Sequence, residues 1–373
     1  MGKIKKIMDY SKLFDAARDF YADFSYNNKE GKAIIPLRYF FELTYRCNLN
    51  CPYCYVGSDR KKNEMSTGEW FNIIKQIPRY SFVTLVGGEP LVRHDFKEIL
   101  FETSKRVFGK LNVVTNGILI DEETIDAFIK SNMMLLSVSI DGWGKNHDLN
   151  RNREGIFDRI TKNLEMLNYK RMKHNNKPMI DIKTIVLNNN IDDLLKLYEY
   201  TTEMGFEFLS ISFLRNNDLK QNSVLKDEFE PVFYEPQYPI QPYFDIKHFE
   251  DVYKKINSMS KKSKTKIRFS PKFEGGSFEE EMKKIKSFFA PENKADLNRH
   301  PKEIYYPCKY PFSNMMINPQ GDVYPCLSFK IGNVRDKKLI DVFNETKFKC
   351  FRKNLKYSES FSACQMCCEL KVR

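Results

Sequence analysis

Apolar and polar positions switch between two periods along the first 213 residues. Short apolar runs of strand character recur at 36–43, 81–86, 111–115, 134–140, 179–187 and 206–213. Between them, apolar residues fall at i, i+3, i+4 spacing, which predicts helices over 67–77, about 94–108, 122–131, about 155–168 and 191–204. Ser66-Thr67-Gly68-Glu69 forms a capping box at the start of the first of these helices. Upstream, Ile7, Tyr10, Leu13, Phe14 and Ala17 predict a helix over 3–26, and Asn27 to Lys32 is a polar turn. Six alternations of strand and helix predict parallel strands joined by right-handed crossovers, an open or closed α/β barrel.

The pattern changes after residue 213. Residues 214–300 are rich in Lys, Glu and Phe, with helices expected at 245–259 and 278–289. Pro236, Pro239, Pro242, Pro271 and Gly275-Gly276 mark loops. This stretch is expected to connect, to cover part of the barrel mouth and to contribute to a substrate pocket. Asn318 to Cys326 reads as a β-hairpin turning at Pro319-Gln320-Gly321, and a helix is expected at about 337–355. No internal repeat is visible.

Each unusual polar or glycine motif lies just past the C-terminal end of a strand, the edge where parallel α/β folds build active sites. After the first strand come Cys47, Cys51 and Cys54, spaced C-x3-C-x2-C. Gly87-Gly88-Glu89-Pro90 follows the second, Thr115-Asn116-Gly117 the third and Asp141-Gly142 the fourth. Three thiolates at that spacing can wrap one metal centre. They leave a four-iron cluster one ligand short, so one iron stays open. A structural zinc site prefers four closed ligands, and no His or fourth Cys lies nearby. Buried free cysteines are the plainer alternative. The paired glycines permit a close backbone approach, or simply a tight turn. Asn116-Gly117 is also a common turn pair.

Composition narrows the class. With 42% hydrophobic and 29% charged residues, the 373-residue chain is globular and soluble, with room for a large domain and a smaller one. Thirty Phe and twenty Tyr offer an aromatic core. The net charge of +12 is spread over Lys pairs along the chain, which fits a solvated surface better than a nucleic-acid face. No apolar run reaches membrane-span length, and the basic start lacks a signal-peptide core. The expected location is the cytoplasm. Nine cysteines in a reducing compartment then point to metal binding rather than disulfides.

The segment Arg46 to Tyr55 resembles the signature of the radical S-adenosylmethionine (radical SAM) superfamily, in which an aromatic residue, here Tyr53, precedes the third cysteine. The resemblance spans 36–213 and implies a partial (β/α)6 barrel. It implies that Cys47, Cys51 and Cys54 hold a 4Fe–4S cluster whose open iron chelates SAM. It further implies that Gly87, Gly88, Glu89 and Pro90 bind the SAM amino group, that Asn116 lies near its ribose, and that Ser139 and Arg151 hold its carboxylate. An arginine suits that carboxylate because the pairing can be bidentate. Arg153 is near enough in sequence to substitute.

Six further cysteines, Cys308, Cys326, Cys350, Cys364, Cys367 and Cys368, crowd the last seventy residues. Cys308 with Gly321-x4-Cys326 resembles the SPASM/twitch extension of radical SAM enzymes. The chain ends six residues after Cys367, which resembles the twitch form with one auxiliary 4Fe–4S cluster on Cys308, Cys326, Cys364 and Cys367. A zinc ribbon would use the same thiolates. Cys368 is an alternative to Cys367, and Cys350 reads as a core residue. The expected organisation is an N-terminal helical extension (1–35), a radical SAM partial barrel (36–213), a connecting region (214–304) and an auxiliary-cluster domain (305–373).

The resemblance implies an enzyme that cleaves SAM reductively and abstracts a hydrogen atom from its substrate. The expected substrate is a ribosomally made peptide. A small molecule such as a sugar, cyclitol or nucleotide is the alternative, and a non-enzymatic iron–sulfur or zinc protein the remote one. There is no room before residue 36 for a winged-helix peptide-recognition domain, which weighs against the peptide class without removing it. The implied partners are a flavodoxin- or ferredoxin-like electron donor and the substrate, with no membrane or nucleic acid.

Overall fold

A computed structural model describes residues 19–54, 56, 63–175, 177–214, 230–231, 244–273, 277–289, 305–326, 329–359, 364, 367, 369 and 371–373. Six strands, β1 (Arg38–Glu42), β2 (Phe82–Val86), β3 (Leu111–Thr115), β4 (Leu135–Ser139), β5 (Met179–Val186) and β6 (Phe208–Phe213), pair in parallel in chain order. The crossovers carry α1 (Thr67–Gln76), α2 (Phe96–Val107), α3 (Glu122–Lys130), α4 (Lys145–Asn150), α5 (Ile156–Met172) and α6 (Asp193–Glu203). Residues 19–26 are helical, while the expected helical residues 3–18, Pro236, Pro239, Pro242 and Gly275-Gly276 lie outside the described residues.

The two faces of the sheet differ chemically. On the helix side, Leu85, Val113, Leu136, Val138, Ile180, Ile182, Leu209 and Ile211 are fully buried. They meet Trp70, Ile74, Ile99, Phe128, Ile160, Leu164 and Leu197 from the helices. Burying one such side chain contributes about 1.5–3 kcal/mol, so this layer supplies most of the drive to fold. The other face carries Ser137, Ser139, Asp181, Lys183 and Ser210. Parallel strands buried on both faces read as continuous apolar runs. Here polar residues alternate with them, so the concave side is a polar interior rather than a second core.

The sheet extends past both of its expected ends. Beyond β6 lies β7 (Lys266–Ser270), again parallel. The next strand of the chain to join this sheet, β8 (Asn314–Ile317), pairs in parallel with the free edge of β1. β9 (Asp322–Tyr324) and β10 (Gly332–Asn333) continue that side antiparallel, giving ten strands in one sheet. The region expected to connect, to cover the barrel mouth and to contribute to a substrate pocket thus also supplies a barrel strand between α7 (Ile246–Ser260) and α8 (Phe278–Phe289). Lys266-Ile267-Arg268-Phe269-Ser270 does alternate polar and apolar, but five residues in a Lys-rich stretch give a faint signal. Its apolar residue Phe269 joins an aromatic cluster with Phe213, Tyr253 and Phe273.

The expected hairpin is β8–β9, with Gly321 at φ +85° in its turn. It docks on the cysteine loop, where the Met65 amide donates to the Pro319 carbonyl (2.6 Å). The single helix expected over 337–355 is two, α9 (Leu339–Phe343) and α10 (Thr346–Ser358). Asn344 breaks it because its side chain bonds both backbone groups of Ala33, at 2.9 Å each. Among the described residues no helix is long and apolar enough to cross a membrane.

The capping box is formed. The Glu69 amide donates to Ser66 Oγ (3.3 Å), and the Ser66 amide donates to the Glu69 carboxylate (2.7 Å). Ser66→Ala is expected to destabilise the chain by about 1 kcal/mol. A urea titration checks this, and an unchanged midpoint would show that the box holds nothing.

Candidate active site at the C-terminal edge of the sheet

The loop that follows β1 is gripped at its base. Buried Arg93 donates to the Leu43 carbonyl (2.9 Å) and the Met65 carbonyl (3.2 Å), while Asp95 holds its guanidinium at 2.6 Å. Arg93 thus ties together the entrance and exit of the cysteine loop. Glu64 adds a second tie, accepting from Thr44 Oγ1 (2.5 Å) and the Tyr45 amide (3.0 Å).

The glycines of Gly87-Gly88-Glu89-Pro90 meet this loop from the next strand. The Gly88 amide donates to the Thr44 carbonyl (2.7 Å) and the Glu89 amide to the Arg46 carbonyl (2.9 Å). A Cβ on Gly88 would stand 2.4 Å from the Arg46 carbonyl oxygen and 2.8 Å from that of Tyr45. At Gly87, φ is +147° and a Cβ would lie 2.4 Å from the Thr44 carbonyl oxygen. The close approach expected of these glycines is therefore made, in this structure, to the backbone of the cysteine loop.

Glu89 is completely buried and bridges two loops. Its carboxylate accepts from Thr115 Oγ1 (2.8 Å), the Asn116 amide (2.7 Å) and the Leu91 amide (3.1 Å). Burial raises its pKa from the usual 4.5 to about 6, against the pull of those donors. Asn116 in turn donates from Nδ2 to Asn48 Oδ1 (2.7 Å) inside the cysteine loop. Pro90 opens the short helical turn Pro90–Val92.

Asp141, just past β4, is the centre of the constellation. One carboxylate oxygen takes the Tyr53 hydroxyl (2.6 Å) and Arg151 Nη2 (2.5 Å), and the other takes the Ile185 amide (2.8 Å). Arg151 Nη1 lies 3.8 Å from Cys51 Sγ, and the guanidinium sits 5.8 Å from the centre of the Tyr53 ring. The Asp141 amide donates to His147 Nδ1 (2.9 Å), and Asn150 Nδ2 donates to the Asp141 carbonyl (2.6 Å). Burial, helped by the charge of Arg151, holds His147 near pKa 4 and therefore neutral. Helix α4 was not expected from the sequence. Its signal was the spacing of His147, Asn150 and Arg151 at i, i+3, i+4, which puts all three on one face.

The structure thus brings Cys47, Cys51, Cys54, Tyr53, Gly87, Gly88, Glu89, Asn116 and Arg151 together. Ser139 ends β4 on the interior face, paired in register with Lys183. Arg153 reaches the same loop from outside, donating to the Asn48 carbonyl (2.9 Å).

Both cysteine sets suit cluster binding. Burial, with smaller contributions from Glu89, Cys51 and Cys54, pushes the Cys47 thiol up to about 11. Burial likewise raises Cys308, with Cys364, Cys367 and Cys326 adding to it. Cys47, Cys51 and Cys308 are thus desolvated thiols with other cysteines close by, and a metal's charge would favour their thiolates. Among the described residues no three such side chains converge tightly enough for a single metal ion. Cys350 is half-buried on α10, and Cys368 lies outside the described residues.

These features are those of an α/β barrel with a cysteine-bearing loop at the C-terminal edge of its sheet. The radical SAM superfamily profile matches residues 41–201, and a SPASM iron–sulfur cluster-binding domain profile matches 308–368. The superfamily match takes in most of the barrel and the SPASM match the C-terminal hairpin, the two parts in which the sequence resembles the SPASM/twitch branch of radical SAM proteins. It is 28% identical over 174 residues to the sporulation killing factor maturation protein SkfB of Bacillus subtilis (strain 168). That match covers 46% of this chain and 41% of SkfB, so less than half of the curated relative is spanned. Streptococcus suis SuiB bound to S-adenosylmethionine has a similar fold, with TM-score 0.64 and 18% identity over 92% of this chain and 73% of that one. The anSMEcpe structure with bound AdoMet gives TM-score 0.57 and 19% identity over 85% of this chain and 82% of that one.

Two outcomes are expected at this site. Gly88→Val should at least halve the iron retained by the first cysteine set, because the new side chain must displace the loop backbone. Full iron loading with weakened SAM binding would instead place the ligand, not the loop, against that position. Glu89 sets a pH dependence. Its folded pKa lies above the unfolded one, so the folded state binds the extra proton between about pH 4.5 and 6. Stability is fully present below that window and falls by about 2 kcal/mol across it, at 1.36 kcal/mol per unit. Urea midpoints of Glu89→Gln should lack this fall, and parallel pH profiles of variant and parent would refute it.

Proposed function

We propose that this chain cleaves S-adenosylmethionine reductively and modifies a ribosomally made peptide. The observation that carries the first half is the meeting of Cys51, Tyr53, Arg151 and Asp141, which locks the cysteine loop over the C-terminal ends of β4 and β5. Cys47, Cys51 and Cys54 would hold one 4Fe–4S cluster, and Cys308, Cys326, Cys364 and Cys367 the auxiliary one. When bound and reduced, that first cluster would supply the one electron needed for cleavage of SAM to methionine and a 5′-deoxyadenosyl radical able to take a hydrogen atom from the substrate.

The chain's own residues place SAM. Gly87-Gly88-Glu89-Pro90 presents backbone and a buried acceptor to the amino group. Asn116 stands by the ribose, and Ser139 with Arg151 takes the carboxylate. Arg151 Nε is buried without a hydrogen-bond partner, so one donor remains open beside the Asp141 pair. Asp141 keeps the guanidinium aimed at this spot, and Tyr53 covers it. An electron donor of the flavodoxin or ferredoxin type would reduce the site, in the cytoplasm. The peptide half is supported by the relatives: SkfB is a maturation protein, and SuiB has a structure bound to its precursor peptide SuiA.

Anaerobic reconstitution should give about eight irons per chain, since three plus four cysteines hold two four-iron clusters. Replacing Cys47, Cys51 and Cys54 by Ala should leave about half of that iron and abolish formation of 5′-deoxyadenosine by dithionite-reduced protein. Stoichiometric zinc without iron would overturn the reading. Cys364→Ala should keep SAM cleavage while peptide product falls sharply. Circular dichroism and the iron count separate this from unfolding, since metal binding and folding are often coupled. Wild-type product yield from a folded, one-cluster variant would remove the auxiliary site from the reaction.

A further inference from the structure

Resting on the proposed reading, we infer that the half of the barrel interior beside the SAM site binds a carboxylate of the substrate through Lys183 and Arg268. The two lie in one row across four strands. Ser139 pairs with Lys183, Lys183 with Ser210, and Ser210 with Arg268. Residues paired in register point to the same face of a sheet. That face is the interior, because the alternating neighbours Ile182 and Ile211 are fully buried and Phe269 packs at 5.1 Å on Tyr253 of α7.

The row begins where the SAM loops end. The loops assigned to SAM follow β1 to β4, and Ser139 is the last of that set. Lys183, Ser210 and Arg268 lead away from it onto β5, β6 and β7, the unclaimed half of the interior. The Lys183 side chain is half-buried and makes no ion pair or hydrogen bond among the described residues. Arg268 is half-buried, with its guanidinium 3.3 Å from the centre of the Phe208 ring. Two strand spacings, about 10 Å, separate their backbones, so both long side chains can converge above Ser210. A guanidinium beside an ammonium offers bidentate recognition of a carboxylate.

Other charges on this face favour a monoanion. Asp181 sits one layer down, 2% exposed, accepting from Ser210 Oγ (2.6 Å) and Ser137 Oγ (3.1 Å). Its carboxylate is taken up by hydroxyls and repels a doubly charged phosphate more than a singly charged carboxylate. Lys266 lies in the Asp181 layer, and Arg38 and Glu42 stand across the interior on β1. The ligand class is therefore a peptide carboxylate, from an Asp or Glu side chain or from a free C-terminus.

The test uses matched pools of random octapeptides. One pool carries Asp and Glu, the other Asn and Gln in their place, and each is made with free and amidated C-termini. Retention on the reconstituted, SAM-loaded chain is read by mass spectrometry. The acidic form should be retained about ten-fold over its amide, the scale of one charge-assisted hydrogen bond. Loss of the preference on side-chain amidation or on C-terminal amidation names the source. Lys183→Gln and Arg268→Gln should bring the ratio towards one, and Lys183→Arg should keep it. The ratio is internal to each sample, so partial unfolding lowers both pools alike. Equal retention by the wild-type chain, or a preference that survives both Gln variants, overturns the assignment. SAM affinity of the wild-type chain is read in parallel. Its absence would overturn the radical SAM reading itself, whereas normal SAM binding without acid preference would sink only this inference.

Discussion

A buried carboxylate holds the candidate site together. Asp141 is fully buried, yet it accepts hydrogen bonds from a tyrosine, an arginine and a backbone amide contributed by three separate segments. A carboxylate in a low-dielectric setting is costly unless it is paired and hydrogen-bonded. That cost becomes a geometric constraint. Tyr53 brings the cysteine loop, Arg151 the end of α4 and Ile185 the end of β5. Moving any of them takes a donor from the buried carboxylate, and moving Arg151 leaves its charge uncompensated. Arg151 carries the same constraint onward to Cys51 Sγ, so the position of the loop is tied to the end of the fourth strand.

The division of the sheet into an apolar convex face and a polar concave one explains how such a site can exist. The convex layer of aliphatic side chains supplies the burial energy. It leaves the concave face free to carry Ser139, Asp181, Lys183, Ser210 and Arg268 without losing the fold. The C-terminal segment shares the arrangement. β8 extends the same sheet at the edge of β1, and its hairpin meets Met65 at the exit of the cysteine loop. Cys47, Cys51 and Cys54 follow β1, and Cys308 and Cys326 flank the β8–β9 hairpin beside it, so the two sets meet the same sheet edge.

Much of this was legible beforehand for local reasons. Strand and helix periods, the capping box at Ser66, the cysteine spacing and the positions of the glycine motifs all depend on residues close in sequence. Helix α4 and strand β7 were not, since six and five residues give too few repeats for a period to stand out. The split at Asn344 was also hidden, because its cause is a hydrogen-bonding partner 311 residues away.

The sequence by itself determined the alternation of elements, the edge on which the motifs fall and the supply of thiols, because periodicity and spacing act within a few residues. Only the tertiary structure decided what those motifs touch. Gly88 faces the carbonyl of Arg46, Glu89 faces Thr115, and Arg151 divides its guanidinium between Asp141 and Cys51. The row from Ser139 to Arg268 likewise exists only through strand register. Register is set by how whole faces of the sheet bury against the helices, and no single stretch of chain encodes that.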